Sequence, residues 1–279
     1  MKKYKIAFII PVFEKIDCVE DQVQNIRAVC PNSAIIFHVN SCCSSTYYEQ
    51  IVFLTKCYDF CFLMEERFTS NWGTGFLVNV YYHAIKWFVT SKIADYLFIT
   101  HSNSLLINPQ LEKKIYEFDF YFNKSFEVTK FSESAANDKN LMLMKSKINI
   151  HVTNVDGTAI NQEVATDLEN TLKDYLVTEP LNYHADEYYL SSILESIKDR
   201  YKFKDGALER WGHVADGNIE LWNLQIKKSA DYIVDLMLNN QYDILSKLNI
   251  FSLKRVNRDY DDRVRTMIRD HFEYNNEIN

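Results

Sequence analysis

Two adjacent carboxylates stand at the start of a predicted helix. The stretch HADEYYLSSIL, residues 184 to 194, places Asp186 and Glu187 before apolar residues that recur at helical spacing. Because the N-terminus of a helix carries partial positive charge, carboxylates are stabilised there. In a structural interpretation, Asp186 caps the helix and Glu187 complements its dipole. In a chemical interpretation, one of them is a general base, which must be ionised and within hydrogen-bond reach of a hydroxyl.

The sequence lacks the usual signals for binding a diphosphate. Neither G-x-G-x-x-G nor the P-loop pattern occurs among its six glycines, which disfavours Rossmann dehydrogenases and P-loop kinases. Metal-dependent nucleotide-sugar enzymes place Asp-x-Asp after a central strand, because a divalent cation needs carboxylate oxygens beside the diphosphate. Here the corresponding strand, DYLFIT, is followed by HSNS. The Asp-x-Asp at Asp259 and Asp261 lies in a charged, helix-like C-terminal segment, where a solvated face is favoured over a metal site.

The elements that must position these residues alternate between strand and helix over the first hundred residues, which is typical of α/β folds. Strands are predicted at 6–13, 33–40, 59–65 and 95–100, with helices at 18–30, 47–58 and 74–92 between them. Repeated β-α units build a parallel sheet, and ligands collect at the carboxyl ends of its strands. The rule marks three segments as site candidates: 11–14, 40–44 and 101–104.

The pattern loosens after about residue 110. A strand is predicted at 147–154, helices at 161–177 and 186–199, and a mostly helical final third with a basic segment. We expect one domain over 1–279, with a nucleotide-binding half at about 1–110 and an acceptor-side half at about 111–279.

Composition excludes several classes of protein. With 47% apolar and 14% aromatic residues, the chain can bury a sizeable core. Its formal net charge of -7 argues against a general nucleic-acid binder, which needs a basic field. No apolar run reaches the ~20 residues of a membrane span, so at most peripheral membrane contact is expected.

Several segments occur in the order found in one family of glycosyltransferases. They are KIAFIIPVFEK, IIFHVNS, SNWGTGFLVNVYYHAIKW, DYLFITHSNSLLINPQL, HADEYYLSSIL and FSLKRVN. Over these segments the chain resembles the core-2/I-branching family, which contains branching N-acetylglucosaminyltransferases and peptide O-xylosyltransferases. The resemblance implies an α/β fold of GT-A type, with a mostly parallel central sheet flanked by helices and a helical C-terminal part. It also implies a nucleotide-sugar donor, a saccharide acceptor, and inversion at the anomeric carbon with no bound metal or other cofactor.

The resemblance assigns the base. In the family, a glutamate in a Pro-Asp-Glu segment takes the proton of the acceptor hydroxyl, and ADE matches this segment with Ala185 in place of proline. Glu187 is therefore the predicted base, and the helix N-terminus is expected to keep it ionised. Asp186 is its structural partner and a predicted acceptor-side residue. Independently of the resemblance, Trp211 with Trp222 is a candidate stacking floor for an acceptor sugar, because saccharide C–H faces pack on aromatic rings; core packing is the favoured alternative for each.

The resemblance also assigns cations to the departing diphosphate. FSLKR matches a basic family segment at Phe251 and Lys254, so Lys254 is the predicted phosphate ligand and Arg255 a second one. A positioned ammonium stabilises the leaving group most as negative charge develops on the β-phosphate. A solvated basic surface is the alternative.

A second family cation falls near Lys227 or Lys228, of which Lys228 is our candidate. If residues 229–247 formed one straight helix, its ends would be ~27 Å apart, too far for one diphosphate. A break at Asn239 and Asn240 is therefore expected.

On the donor side the resemblance implies contacts at the ends of three strands and in a tryptophan-containing segment. Asn40 replaces a usual aspartate; asparagine donates as well as accepts, so a UDP-sugar is expected but selectivity for uridine is left open. Ser104 also replaces an aspartate, and His101 is unusual for the family. The predicted donor-binding residues are Pro11, Val12, Phe13, Asn40, Trp72, Gly73, Ser102, Asn103 and Ser104, together with the cations Lys228, Lys254 and Arg255.

Two alternatives remain open. The departures at Asn40, Ala185 and Ser104 favour a non-catalytic module that binds a nucleotide sugar or a glycan on a degenerate version of this fold. A metal-dependent transferase would use Asp259 and Asp261. With no export or anchor segment apparent in the sequence, we expect a bacterial cytoplasmic enzyme that builds glycan or polysaccharide, with peripheral contact to the inner membrane left open.

Overall fold

The structure is a computed structural model that describes residues 3–13, 15–69, 73–206, 208–211, 230–254 and 256–274. Its strands are β1 Tyr4–Val12, β2 Ser33–Val39, β3 Cys61–Leu63, β4 Ala94–Ile99, β5 Ser104–Leu106, β6 Phe120–Phe122, β7 Phe126–Glu127, β8 His151–Val152, β9 Ala159–Asn161, β10 Phe203–Asp205, β11 Glu209–Trp211 and β12 Ser252–Lys254. Its helices are α1 Ile16–Val29, α2 Ser45–Cys57, α3 Leu77–Ser91, α4 Leu111–Lys114, α5 Glu133–Ala136, α6 Lys139–Lys145, α7 Gln162–Leu172, α8 Ala185–Ile197, α9 Ala230–Leu238, α10 Tyr242–Lys247 and α11 Arg263–His271.

A mostly parallel sheet forms the centre of the chain. Within the described residues it has seven strands in the order β10-β6-β9-β4-β1-β2-β3. The pairs β1 with β2, β1 with β4, β2 with β3 and β10 with β6 are parallel, whereas β9 runs antiparallel to both of its neighbours. The predicted α/β architecture with a mostly parallel sheet is confirmed. Because β2 and β4 flank β1 on opposite sides, the strand order reverses between β1 and β4, where open sheets bind ligands.

The strands of the first half form where the apolar runs predict them. β1 is almost entirely buried, as expected of a run that is apolar on both faces. The predicted helices at 18–30, 47–58 and 74–92 correspond to α1, α2 and α3.

The strand predicted at 147–154 is wrong for most of its length, since β8 covers only His151 and Val152. The backbone of this segment bonds to helix α8 instead of extending a sheet. The His151 amide donates to Ser192 Oγ at 2.9 Å, and the Thr153 amide donates to Ser191 Oγ at 3.2 Å. These bonds fasten the segment along α8, next to the carboxylates at its start.

A smaller sheet and a second apolar core occupy the C-terminal part. β12 lies between β11, to which it is parallel, and β5, to which it is antiparallel. Apolar residues of α9, α10 and α11 pack with Leu105 and Ile107 beside β5. The expected helix break is confirmed: α9 ends at Leu238, α10 begins at Tyr242, and Asn240 adopts a φ of 53° between them.

Buried ion pairs join the C-terminal helix to the first one. Asp21 of α1 accepts from Arg265 Nη1 at 2.6 Å and from Arg269 Nη1 at 3.1 Å, and the Asp21 and Arg265 side chains are fully buried. Arg265 Nε also donates to the carbonyl of Asn257 at 2.6 Å, which fixes the chain that follows β12.

Over the residues that the structure describes, helices are either too short or too polar to cross a membrane.

Candidate functional site

A cleft opens at the carboxyl ends of β1 and β4. Phe13 follows β1, and His101 and Asn103 follow β4, so the sheet contributes three of the lining side chains. The cavity volume of this cleft is about 150 Å³. The cleft therefore lies at the reversal of strand order, where the sheet rule places ligands.

Four further elements complete the cleft. The connection between β8 and β9 contributes Asn154, Val155 and Asp156. The start of α8 contributes His184, Asp186 and Glu187, and the C-terminal part contributes Lys254 and Arg258, with Leu77 of α3 between them.

Helix α8 sets the position of the two predicted acidic residues. The helix begins at Ala185 with His184 at the N-cap position, so Asp186 lies inside the first turn and is not the cap. The Ala185 amide donates to the carbonyl of Tyr183 at 3.0 Å. A proline at position 185, as in the related family segment, would lack this hydrogen bond.

A close backbone approach brings the start of α8 against the turn before α3. Gly75 has a φ of 77°, and a Cβ at this position would lie 3.0 Å from Leu181 Cδ1 and 3.2 Å from Ala185 Cβ. Only glycine adopts this φ freely and leaves this space. Gly73 is nearby, since its added Cβ would lie 3.9 Å from His184 Cε1.

The carboxylates of α8 bind protons more tightly than exposed ones. Burial, with the charges of Asp186 and Asp156 adding to it, raises the pKa of Glu187 to about 8. Burial also raises the pKa of Asp186 to about 7. The expectation that the helix N-terminus keeps Glu187 ionised is therefore wrong at neutral pH, because desolvation and like charges outweigh the helix dipole. The two groups titrate as a pair close to neutrality.

Strand β12 carries Lys254 into the cleft. In the small sheet Lys254 pairs with Ser104 of β5, which places it beside the end of β4. Its side chain is largely buried and forms an ion pair with Asp156 Oδ2. Lys254 is thus not part of a solvated basic surface.

Asp156 also contacts a second partner, His101. The His101 Nε2 atom lies against Asp156 Oδ1, and the Asp156 side chain is 2% exposed. Contacts with His101 and Lys254 hold the pKa of Asp156 well below its usual range, although burial opposes this. Burial, together with Lys254, keeps the pKa of His101 below its ordinary value although Asp156 opposes this.

An aromatic ring and a guanidinium meet at the rim of the cleft. Arg258 lies over the Phe13 ring, with 5.7 Å between Cζ and the ring centroid, and the Phe13 side chain is 47% exposed. A cation over an exposed ring forms a weak cation-π pair that a ligand can displace.

The structure places several of the predicted site residues together and others apart. The cleft is lined by Glu187, Asp186, Lys254, Phe13 and Asn103. Pro11, Val12, Ser102 and Ser104 are buried behind it in or beside the strands, and Asn40 at the end of β2 caps its own turn by accepting from the Cys42 amide at 2.9 Å.

Other predicted residues fall outside what the structure describes. Trp72, Lys228 and Arg255 lie outside the described residues, as do Lys227 and Glu14. For Trp211 the backbone is described as part of β11, but its side chain is not.

The alternative metal site at Asp259 and Asp261 is not assembled. Both residues are exposed in the turn before α11, and neither lines the cleft. Nowhere in the described part of the chain do three His, Cys, Asp or Glu side chains come together in a way that could hold a metal ion.

Sequence reasoning missed Asp156, Asn154 and Arg258. Asp156 stands in NVDGT, whose only local signal is a turn, and Arg258 is one of several basic residues in its segment. His101 carried a signal, since it is unusual for the related family.

The sequence matches no protein-family model and no curated protein. Two solved glycosyltransferases are similar to it in structure. One is the mannosyltransferase PcManGT from Pyrobaculum calidifontis, in complex with GDP-Man and Mn2+, at 11% identity and a TM-score of 0.32, covering 44% of this chain and 36% of that chain. The other is the apo form of the glycosyltransferase GlyE from Streptococcus pneumoniae TIGR4, at 11% identity and a TM-score of 0.43, covering 98% of this chain and 61% of that chain. Both TM-scores lie below 0.5, a level of likeness that assigns neither a substrate nor a mechanism.

Proposed function

We propose that the chain is an inverting glycosyltransferase that moves a sugar from a nucleotide diphosphate, with UDP as the expected nucleotide, to a saccharide hydroxyl without a bound metal. The proposal rests on one observation: Glu187 and Lys254, the predicted base and the predicted phosphate ligand, line the same cleft at the reversal of strand order. The ordered resemblance to core-2/I-branching glycosyltransferases supports it independently.

In the proposed reaction the acceptor hydroxyl oxygen attacks the anomeric carbon of the donor sugar. The new C–O bond forms as the bond from the anomeric carbon to the β-phosphate oxygen breaks, and the electron pair of that bond stays on the diphosphate. The hydroxyl proton passes to the Glu187 carboxylate. One displacement of this kind inverts the anomeric centre.

The raised pKa of Glu187 has two opposite effects on its action as a base. Its carboxylate must be ionised to take the proton, and a pKa of about 8 leaves only part of the population ionised at neutrality. The ionised form is, however, a stronger base than an ordinary carboxylate, because base strength follows pKa. Asn154 Nδ2 donates to Glu187 Oε1 at 3.4 Å and orients it.

Two cations face the position proposed for the diphosphate. The Lys254 ammonium, which pairs with Asp156 Oδ2, lines the cleft, and Arg258 at the rim adds a guanidinium. Fixed positive charges gain most where charge develops in the transition state, so these two side chains would stabilise the leaving nucleotide.

A turnover assay tests the proposal. Purified protein is incubated in EDTA with a panel of UDP- and GDP-sugars, and release of the nucleoside diphosphate is measured for the wild type, Glu187→Gln and the control Glu49→Gln. Glu49 is exposed on α2, away from the cleft. We expect turnover in EDTA that Glu187→Gln abolishes and Glu49→Gln retains.

Other outcomes of the same assay contradict parts of the proposal. Nucleotide-sugar binding without turnover in the wild type would favour the binding module. Turnover that EDTA abolishes and Mn2+ restores would establish a metal-dependent transferase. Full turnover by Glu187→Gln would remove Glu187 from the chemistry.

A further inference from the structure

One buried carboxylate ties three separate elements of the cleft together. Asp156, in the connection between β8 and β9, contacts Lys254 of β12 through Oδ2 and His101, which follows β4, through Oδ1. No motif marks this residue in the sequence. An ionised carboxylate that is buried without a partner destabilises the fold, so Asp156 depends on its contacts with Lys254 and His101.

The connection that carries Asp156 is itself rigidly held. The Asp156 amide donates to Asn154 Oδ1 at 2.8 Å, and the Gly157 amide donates to the carbonyl of Ile99 at 2.8 Å. Gly157 has a φ of 73°, which turns the chain from Asp156 into β9. The carboxylate is thus fixed to the end of β4 before any ligand binds.

His101 is fixed from the other side. Its carbonyl accepts from Gln22 Nε2 at 2.7 Å, which anchors the backbone of the turn after β4 to helix α1. Because His101 Nε2 lies against Asp156 Oδ1, a hydrogen bond between them requires the imidazole proton to sit on Nε2.

We propose that Asp156 is the positioning residue of this cleft, holding the Lys254 ammonium and the His101 imidazole in place within the cleft that Glu187 also lines. It acts through these two groups and is not itself a catalytic residue. This role rests on the proposed glycosyl transfer and adds a residue to it. The contacts of Asp156 themselves are present in the chain without a ligand.

The charge of Asp156 has a second effect that can be measured without substrate. Asp156 raises the pKa of both Asp186 and Glu187, whereas Lys254 lowers them. Removing the Asp156 charge while Lys254 remains should therefore lower the pKa of Glu187. The charged and titratable groups that face Glu187 are Asp186 and Tyr188 of its own helix, Asp156, Lys254, and at the rim His184 and Arg258.

The test compares Asp156→Asn with Asp156→Glu and with the exposed control Asp205→Asn. The Glu187 carboxyl is followed by ¹³C NMR titration of the ligand-free protein, its signal being assigned by its absence in Glu187→Gln. We expect the Glu187 midpoint to fall below about 8 in Asp156→Asn. Asp156→Glu keeps the charge and should keep the midpoint, and Asp205→Asn should match the wild type.

Kinetics with the active nucleotide sugar supply the second readout. Because Asp156→Asn removes a negative charge near the diphosphate but frees the Lys254 side chain, we expect kcat to fall at least tenfold while the donor KM does not rise. A merely structural role would lower kcat and raise KM together, and would leave the Glu187 midpoint unchanged in variants that fold.

The outcomes separate the two proposals. An unchanged midpoint together with unchanged kcat in folded Asp156→Asn overturns the role of Asp156. A shifted midpoint in a wild-type protein that turns over no nucleotide sugar leaves the positioning geometry intact and overturns the transfer reaction. If Asp156→Asn does not fold, Lys254→Met replaces it: removing the ammonium should raise the Glu187 midpoint, and an unchanged midpoint contradicts the proposal.

Discussion

Lys254 and Glu187 line one cleft although Lys254 comes from strand β12 of the small sheet and Glu187 from the first turn of helix α8. The small sheet brings Lys254 opposite Ser104, and the close approach at Gly75 sets the start of α8. The Lys254 ammonium and the Glu187 carboxylate therefore line the same cleft without forming an ion pair with each other, since Lys254 pairs with Asp156.

Transfer or hydrolysis of the nucleotide sugar should depend on pH with an alkaline optimum. The base is active only when ionised, and burial raises the pKa of Glu187 to about 8. We expect kcat to rise about tenfold per pH unit below this value and to level off above it. Initial rates between pH 5.5 and 9.5 at saturating donor measure this, and a rate that is flat from pH 6 upwards would contradict the assigned role.

The ionisation of Glu187 that activates the base should also destabilise the folded protein. A carboxyl whose pKa is raised on folding resists ionisation in the native state, so its contribution is intact below the unfolded pKa near 4.5 and is lost as pH rises through about 8. Glu187→Gln does not carry this cost. We expect the Tm of Glu187→Gln minus that of the wild type to increase by several degrees or more from pH 5 to pH 9, since one pKa unit corresponds to about 1.4 kcal/mol and about 1 kcal/mol shifts Tm by roughly 2–4 °C.

Thermal melts at both pH values test this, with Glu49→Gln as the control whose difference from the wild type should not vary with pH. An equal Tm difference at pH 5 and pH 9 would show that Glu187 is not buried as described.

Donor affinity should weaken as pH rises. Asp186 and Glu187 gain negative charge between about pH 7 and pH 8, beside the position proposed for the diphosphate. The diphosphate of a UDP-sugar is doubly esterified and does not titrate in this range, so the change reports on the protein. We expect the Kd of the active UDP-sugar to rise at least tenfold, about 1.4 kcal/mol, from pH 6 to pH 9.

Calorimetric titration measures this Kd. The double variant Asp186→Asn with Glu187→Gln should bind equally at both pH values. Equal pH dependence in the wild type and the double variant would place the diphosphate elsewhere.

Gly75→Ala should damage both stability and activity. The added methyl would press on Leu181 and Ala185 at 3.0 to 3.2 Å, and the residue would keep a strained φ of 77°. We expect a loss of about 1–3 kcal/mol in the free energy of unfolding, with lower turnover because the start of α8 shifts.

The matched control is Gly73→Ala, which has a similar φ of 74° but whose methyl would meet only His184 Cε1 at 3.9 Å. Denaturant unfolding measures the stability of both variants. Because only the Gly75→Ala methyl presses on Leu181 and Ala185, we expect Gly75→Ala to lose clearly more stability than Gly73→Ala. Equal losses would mean that backbone strain alone acts at both positions.

Asp21→Asn should weaken the C-terminal part of the fold. The change leaves the buried Arg265 and Arg269 guanidinium groups without their carboxylate. Breaking a buried ion pair from one side typically costs about 3–5 kcal/mol. Urea unfolding measures this loss, with Asp270→Asn, an exposed position on α11, as the control that should stay near the wild type.

Much of the fold and part of the site could be predicted from the sequence. The apolar run of β1 predicts a strand buried on both faces, and β2 and β4 were also predicted as strands, because an apolar run is a property of neighbouring residues. The break at Asn239 and Asn240 followed from helix geometry. Local pattern also predicted that Glu187 lies in the first turn of a helix, since helical spacing is a property of neighbouring residues, whereas Asp186 was expected at the cap and lies inside the turn.

Other features depend on residues far apart in the chain. In place of the strand predicted at 147–154, backbone amides of this segment donate to the hydroxyls of Ser191 and Ser192, which no pattern within the segment reveals. Asp156 shows only a turn signal locally, and its pairing with Lys254 exists because β12 inserts between β11 and β5.

The sequence by itself determined which side chains could accept a proton and which could bind a phosphate, because that chemistry belongs to the residue types. The tertiary structure decided their protonation and their partners. Burial and neighbouring charges, which depend on the packing of distant segments, raise the pKa of Glu187 against the effect of its own helix.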